Sequence, residues 1–220
     1  MATRIVIARH GNTFKKGQTP TRVGSETDLP LVEEHRARSI GKYLLEKDMV
    51  PHVVFAASLQ RTMQTAALAI EELKMNLDVH IADNFKEINY GPDENKTETE
   101  VIKRLGNGNK TKGEAIINAW NTSAKVPPGW DVSPDVIIQN WKLFATKIIK
   151  QHSNKTAFLV SSNGIMRFAP YLTGNFKEFC NNHNIKVSTG GVCIFEKEVD
   201  EDYWKCIEWN AKPYQLYPKV

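Results

Sequence analysis

The chain has 220 residues, a length that suits one large domain or one domain with an inserted subdomain. Hydrophobic residues make up 41% and charged residues 25%, as in ordinary soluble globular proteins, and the net charge is +4. Because the lysines and arginines are spread out without a dense basic run, composition favours small anionic ligands over nucleic acid. No run of 18 apolar residues and no leader-like N-terminus is present, so we expect no membrane segment and a cytoplasmic location.

The three cysteines, Cys180, Cys193 and Cys206, have neither the even count nor the close spacing of a disulfide framework. They form no Cys/His cluster with zinc spacing, so the sequence indicates no metal. Cys193 and Cys206 fall in the two arms of a predicted hairpin, where we expect neighbouring, reduced packing residues. Nothing in the sequence indicates an oligomeric state.

Apolar, β-branched runs alternate with helical patterns along the chain, which predicts a layered α/β fold. The last two runs flank Val199–Asp202 and predict an antiparallel hairpin at the end of a mainly parallel sheet. Residues 1–220 are predicted to form one domain. The predicted strands cover residues 4–8, 52–57, 78–81, 156–161, 191–197 and 203–209.

Amphipathic helices are predicted between the strands. One covers about 34–47, and the next begins after Ser58, whose hydroxyl is expected to cap it. A later helix begins at Pro134, since proline is favoured at the first helical position. We interpret the apolar faces of these helices as scaffold.

Two stretches, 14–32 and 84–132, break this alternation. The second contains two short predicted helices, of which the first opens with a capping box of Thr97 and Glu100 and ends at Gly106. In open α/β sheets, ligands bind beyond the carboxyl ends of the strands. An insertion placed there is expected to act as a wall or lid over the site.

The first predicted strand ends in a turn whose residues suit phosphoryl chemistry. Arg9, His10 and Gly11 supply a fixed positive charge, a nucleophilic imidazole and an uncovered backbone amide. Asn12 and Thr13 follow as polar donors beside the nucleophile. This string is short, and a single histidine is more often a surface or packing residue. The interpretation as a phosphoryl site therefore depends on whether other parts of the chain supply matching residues.

Two further residues suit the same chemistry. Arg61 falls in the first turn of the helix after the second strand, where helix dipole and guanidinium both attract an anion. The alternative is an ordinary exposed helix arginine. Glu87 directly follows the third strand and could protonate a leaving oxygen if burial and phosphate raise its pKa. The alternatives are a solvated glutamate beside Lys86, and Glu94 in the same role.

Taken in order, these segments resemble the histidine phosphatase superfamily, also called phosphoglycerate-mutase-like, from residue 4 to about 197. Glu87 stands where members of the family have their proton donor. The resemblance implies a three-layer α/β/α sandwich with a mainly parallel central sheet, a C-terminal antiparallel hairpin and a helical insertion over the site. The segments that carry it are Arg9–Thr13, Thr21–Gly24, Thr27–Leu31 and Ser58–Ala66.

The resemblance also implies a mechanism on a small phosphorylated substrate. His10 would attack phosphorus and form a phosphohistidine, which water then hydrolyses. Arg9 and Arg61 would clamp the phosphoryl oxygens, and Glu87 would protonate the leaving group and later activate water. Positioning and charge neutralisation are what phosphoryl transfer mainly requires, so two arginines can serve without metal or cofactor.

One segment departs from the family pattern. The family places a second histidine after its fourth core strand, but here that segment, residues 160–167, has Ser162 in the histidine's place, followed by Asn163. His152 and His183 belong to other elements. Either Ser162 and Asn163 donate neutral hydrogen bonds to the phosphoryl group and a slower enzyme survives, or the protein binds phosphorylated ligands with little turnover.

The sequence therefore favours a phosphatase, with a phosphate-binding pseudoenzyme as the alternative. A phosphoglycerate mutase is less favoured, because Phe14–Lys16 stands where mutases continue with tryptophan and asparagine. Arg22 is expected to add an anion contact from the loop facing the site. Lys15, Lys16 and Arg167 are interpreted as surface charges. The tryptophans expected to pack in the core are Trp120, Trp130 and Trp141.

Overall fold

The computed structural model describes residues 2–218, which contain a six-stranded sheet with the order β3-β2-β4-β1-β5-β6. Strands β1 to β4 run parallel, β5 is antiparallel to β1, and β6 is antiparallel to β5. This confirms the predicted mainly parallel sheet with a C-terminal hairpin. The strands are β1 (Thr3–Arg9), β2 (Val53–Ala56), β3 (Val79–Ile81), β4 (Thr156–Ser161), β5 (Val192–Lys197) and β6 (Lys205–Ala211).

Helices cover both faces of the sheet, because its central strands are apolar on both sides. In β1, Ile5 and Ile7 join the buried cluster that includes α5, whereas Val6 and Ala8 join the cluster with α1 and α2. Three layers result. The helices are α1 (His35–Glu46), α2 (Gln60–Glu72), α3 (Glu98–Leu105), α4 (Lys110–Ser123), α5 (Pro134–Gln151), α6 (Asn163–Met166), α7 (Phe176–Asn182) and α8 (Pro213–Leu216).

The sequence prediction that Ser58 caps α2 is wrong. The helix begins at Gln60, and Ser58 uses its hydroxyl to donate to Asp83 instead of capping. The carboxylate of Asp28 accepts from the Gln60 backbone N–H at 2.7 Å and takes the capping role. A partner from a distant loop has therefore replaced the local serine.

The last strand and the last elements also differ from expectation. Strand β6 begins two residues later than the predicted 203–209 and ends two residues later. The sequence patterns missed α6, α7 and α8, which are short. All three cysteines are free, as predicted, and Cys206 pairs with Phe195 across the hairpin, two residues along β5 from Cys193. No helix within residues 2–218 is long and apolar enough to cross a membrane.

The 84–132 segment forms two helices joined at a tight turn. The capping box of Thr97 and Glu100 is present at α3 as predicted, whereas α4 has 14 residues and is longer than expected. Buried Asp93 holds the segment together: it pairs with Arg104 and accepts from the indole N–H of Trp130 at 2.7 Å. One buried carboxylate thus joins the start, middle and end of the segment.

Asp93→Ala is expected to lower the free energy of unfolding by about 2–3 kcal/mol, since it leaves Arg104 and the Trp130 N–H without their partner. Urea titration measures this loss. The matched control is Glu114→Ala, which removes an exposed i,i+4 partner of Lys110 and should cost at most about 0.5 kcal/mol. Equal, small losses in both variants would contradict the central role of Asp93.

Candidate active site

The candidate site lies where β1 and β4 end side by side. Arg9 and Ser161 are register partners at the carboxyl ends of these parallel strands, and the His10 N–H donates to the Ser161 carbonyl at 3.1 Å. A cleft of about 670 Å³ opens at this edge of the sheet, and the 84–132 segment supplies part of its wall. The pairing of two strands remote in sequence thus brings the predicted segments together.

His10 is a buried, neutral nucleophile candidate. Its side chain lines the cleft although the residue is only 5% exposed. Nδ1 lies 2.8 Å from the carbonyl oxygen of Gly11, and because a carbonyl only accepts, Nδ1 carries the proton and Nε2 keeps its lone pair. Burial, followed by the charges of Arg9 and Arg61, holds the pKa of His10 well below its ordinary 6.5.

The Gly11 backbone amide is not free, contrary to the expectation of an open donor. It donates to the hydroxyl oxygen of Thr65 on α2 at 3.0 Å, and that hydroxyl in turn donates to the carbonyl of Arg61. The turn after β1 is therefore fastened to α2. The turn therefore presents side chains to the cleft, those of His10, Asn12 and Thr13.

Arg9 lies beside His10 with part of its guanidinium unused. Its Nη1 donates to the carbonyl of Val187 at 2.7 Å, while its buried Nε has no partner within residues 2–218. Burial lowers the pKa of Arg9, and the charge of Glu87 opposes this shift, so the guanidinium stays charged. The arrangement leaves N–H donors of a positive group at the cleft.

Arg61 is fully buried in the first turn of α2, which excludes the exposed-helix alternative. Its guanidinium donates to the carbonyls of Thr27 at 2.7 Å, Gly24 at 3.0 Å and Val23 at 3.3 Å. Its Nε, buried too, has no partner in the described chain. Arg61 therefore fixes the 23–27 loop and places positive charge behind His10.

Glu87 is the carboxyl group at the cleft that is not paired with an arginine, since Glu98, which also lines the cleft, pairs with Arg22. One oxygen accepts from the Ile88 N–H at 2.9 Å and the other from the Gly164 N–H at 3.2 Å. Burial raises the pKa of Glu87, while these two hydrogen bonds and the charges of Arg61 and Arg9 oppose the rise. A Cβ at Gly164 would lie 2.4 Å from the carboxyl oxygen, so only glycine leaves room for Glu87.

Glu94, the competing carboxylate, has a different place. It accepts from the Gly24 N–H at 2.9 Å and from the Thr27 hydroxyl at 2.6 Å, and it does not line the cleft. The carboxylate therefore holds the loop that Arg61 also binds. Of the two glutamates, Glu87 faces the site.

The segment after β4 places one polar side chain at the cleft and one behind it. Asn163 lines the cleft, and its side-chain oxygen accepts from the Val187 N–H at 2.8 Å. Ser162 is fully buried, and its hydroxyl oxygen has no hydrogen-bond partner among residues 2–218. Asn12 also lines the cleft and accepts from the Thr189 hydroxyl at 2.6 Å.

Arg22 faces the cleft with its charge already compensated. It forms an ion pair with Glu98 of α3 and lies 5.6 Å from the ring centroid of Tyr90 and 5.1 Å from that of Trp130. The predicted site residues thus fall into two groups. Those that line the cleft are Arg9, His10, Asn12, Arg22, Glu87 and Asn163; those behind it are Arg61 and Ser162.

A family model described as "Histidine phosphatase superfamily (branch 1)" matches residues 5–212. The chain belongs to this superfamily. Its curated relatives include a 2,3-bisphosphoglycerate-dependent phosphoglycerate mutase from Tropheryma whipplei (strain Twist), 26% identical over 125 residues, or 56% of this chain and 53% of that protein. Phosphoglycerate mutase 1 from Saccharomyces cerevisiae is 26% identical over 57% of this chain and 48% of its own. The chain spans about half the length of these relatives.

Solved structures share the fold at low identity. A protein described as mycobacterial hydrolase 1 has a TM-score of 0.75 at 19% identity, covering 96% of this chain and 100% of its own. A phosphoserine phosphatase mutant from Entamoeba histolytica, in complex with phosphoserine, has a TM-score of 0.71 at 17% identity and covers 96% and 98%. A mycobacterial glucosyl-3-phosphoglycerate phosphatase has a TM-score of 0.74 at 16% identity and covers 95% and 99%.

Sequence reasoning missed two cations that line the cleft. Arg167, expected at the surface, is 2% exposed and lines the cleft, where its guanidinium lies 4.8 Å from the Trp120 ring centroid. The available signal was its position five residues after Ser162, at the other end of a short helix. Lys186 also lines the cleft, but its loop carries no periodic pattern that would have indicated it. Lys15 lines the cleft at an exposed position, whereas Lys16 lies outside it.

The charged side chains that line the cleft are several cations and two carboxyl groups, Glu87 and Glu98. No group of three or more His, Cys, Asp and Glu side chains within residues 2–218 is arranged to hold a metal ion. The cationic side chains that line the cleft are guanidinium and ammonium groups.

His10 is expected to remain neutral at pH 6.0, with its proton on Nδ1, because a lowered pKa means that the second proton binds only at more acidic pH. A histidine at the ordinary value would be about three-quarters protonated at that pH. Long-range ¹H–¹⁵N correlation spectra measure the state of each ring, and His10→Ala identifies the signal. A doubly protonated His10 ring at pH 6.0 would contradict the electrostatics derived from burial.

Proposed function

We propose that this chain is a metal-independent phosphatase that hydrolyses a phosphomonoester through a phosphohistidine on His10. The observation that carries the proposal is the unprotonated Nε2 of His10 at the cleft, with Arg9 beside it and Glu87 nearby. A neutral imidazole is a ready nucleophile at neutral pH. Phosphoryl transfer requires positive charge near the phosphoryl oxygens, and Arg9 and Arg61 provide it without a metal ion.

In the first step, the Nε2 lone pair of His10 attacks phosphorus and the bond from phosphorus to the ester oxygen breaks. Glu87 gives its proton to the departing oxygen, and its raised pKa favours the protonated form that this role needs. The imidazole gains positive charge as the N–P bond forms. The Gly11 carbonyl, which accepts from Nδ1–H, stabilises that charge.

In the second step, a water molecule attacks phosphorus from the side that the leaving group has vacated. The Glu87 carboxylate accepts a proton from this water, and the N–P bond breaks as the new O–P bond forms. Inorganic phosphate and neutral His10 result. Glu87 is thereby protonated again, so the starting state is restored without another proton donor.

The Asn163 amide, which lines the cleft, and the Ser162 hydroxyl, which lies directly behind it, are proposed to take the place of a second histidine as neutral donors. The unpaired, buried state of the Ser162 hydroxyl supports this, because a buried polar group without a partner is uncommon. Replacing a charged donor by a neutral one costs about 2–4 kcal/mol, or roughly 30- to 1000-fold in rate. We therefore propose a slow enzyme, with residues 84–132 acting as a wall or lid over the cleft.

A phosphate-binding protein with little turnover is the second candidate. The observation that favours it is the serine at position 162, together with the commitment of both Nη atoms of Arg61 to main-chain carbonyls. This candidate uses the same binding residues and differs only in rate. A mutase, the activity in the names of the curated relatives, is less favoured because of the Phe14–Lys16 segment.

The deciding experiment is the initial rate of hydrolysis of 4-nitrophenyl phosphate from about pH 5 to 8 in the presence of EDTA. An aryl leaving group needs little protonation, so this assay tests the nucleophile and the phosphate clamp. Turnover should fall at least about 1000-fold in His10→Ala, given the loss of the nucleophile. The exposed residue His52 supplies the matched control, His52→Ala, which should keep wild-type turnover.

Two results would separate the candidates. Turnover that disappears in His10→Ala, with a phosphoenzyme trapped by acid quench in the wild type, supports the phosphatase. Phosphate binding by the wild type without any turnover would contradict it and would establish the binding protein.

Ser162→His is expected to raise phosphatase activity or leave it intact, because imidazole adds a stronger, charge-assisted donor to the phosphoryl group. The gain is at most roughly 30- to 1000-fold, the cost assigned above to its absence. Steady-state kinetics with 4-nitrophenyl phosphate measure the change, with Ser162→Ala as the control that removes the hydroxyl alone. Complete loss in Ser162→His, with Ser162→Ala active, would show that position 162 does not correspond to the family's second histidine.

A further inference from the structure

The cleft contains more positive charge than one phosphoryl group compensates. Arg22 is paired with Glu98, so these two residues cancel. The cations assigned to the phosphoryl group are Arg9 and Arg61. Three more cations line the cleft, namely exposed Lys15 together with Arg167 and Lys186, and neither Arg167 nor Lys186 forms an ion pair within residues 2–218.

Arg167 is held only by neutral groups. Its Nη1 donates to the Trp120 carbonyl at 3.1 Å, and its Nη2 donates to the side-chain oxygen of Asn121 at 3.0 Å. Its buried Nε has no partner within residues 2–218. Because a buried charge without a counter-charge is costly, this guanidinium is suited to receiving an anion from the cleft.

Lys186 presents a free ammonium group to the same cleft. The side chain makes no hydrogen bond or ion pair within the described part of the chain, and it belongs to the loop whose Val187 fixes both Arg9 and Asn163. Partial burial and the charges of Arg167 and Arg9 lower the pKa of Lys186, and the charge of Glu98 opposes this shift without reversing it. An anion bound here would relieve that repulsion.

We infer that Arg167 and Lys186 form a second anion subsite, so that the substrate is a phosphomonoester carrying a further anionic group. This inference rests on the proposed function, with the transferred phosphoryl group at His10 and the second group at the subsite. Carboxylate and phosphate share the oxygen chemistry that a guanidinium and an ammonium recognise. The cleft of about 670 Å³ has room for a substrate larger than a phosphoryl group alone.

Three ligands on one carbon skeleton test the subsite. Glycerol 3-phosphate ends in a neutral CH2OH group, 3-phosphoglycerate ends in a carboxylate, and glycerol 1,3-bisphosphate ends in a second phosphate. Isothermal titration calorimetry on His10→Ala measures their Kd values without hydrolysis. 3-Phosphoglycerate and glycerol 1,3-bisphosphate should each bind on the order of tenfold more tightly than glycerol 3-phosphate. Whichever of the two binds more tightly identifies the anionic group that the subsite prefers.

The variant Lys186→Gln, in the His10→Ala background, keeps the side-chain length nearly unchanged and removes the charge. It should reduce the ratio of the glycerol 3-phosphate Kd to the Kd of the preferred ligand about fivefold or more. The matched control is Lys16→Gln, an exposed lysine outside the cleft, which should keep that ratio. Because the readout is a ratio within each variant, a general weakening of binding does not imitate the effect.

Failure of the subsite and failure of the phosphatase give different results. Equal affinities for the three ligands, or an unchanged ratio in Lys186→Gln, would overturn the second anion subsite even if the wild type hydrolyses 4-nitrophenyl phosphate. A clear preference that Lys186→Gln reduces would support the subsite even if the wild type shows no turnover.

Discussion

Buried guanidinium groups that donate to main-chain carbonyls hold this site in shape. Arg61 binds three carbonyls of the 23–27 loop, Arg9 binds the carbonyl of Val187, and Arg167 binds that of Trp120. Carbonyls orient these cations without cancelling their charge. Burial first, and then the charges of Arg9 and Arg61, lower the pKa of His10, and the same charges favour an anion in the cleft over a cation.

The pairing of strands in the sheet also positions the groups of the candidate site. Parallel pairing of β1 with β4 places the turn after Arg9 beside the start of α6, and the absence of a side chain at Gly164 lets Glu87 approach that start closely. Each reacting group is thus fixed by backbone contacts from a different part of the chain. In the mechanism proposed above, this rigidity would hold the groups in position for phosphoryl transfer.

The sequence was informative where function follows local pattern, and uninformative where it depends on distant partners. The buried run of β1 with its His10 turn, and Glu87 after β3, could be recognised from neighbours in sequence. The cap of α2 could not, because Asp28 reaches it from another loop and displaces Ser58. Arg167 was misplaced for the same reason: its partners on α4 are 46 or 47 residues away, and no local rule indicates that contact.

Val187, in the loop before β5, contacts two parts of the candidate site through its backbone. Its carbonyl receives Arg9 while its amide holds Asn163, so a single peptide neighbourhood sets the spacing between the strand-end turn and the helix that follows β4. Lengthening or shortening this loop by one residue would move both contacts together. A change in the length of this loop would therefore disturb the site at two points at once, whereas exchange of a side chain such as that of Lys186 would leave both backbone contacts in place.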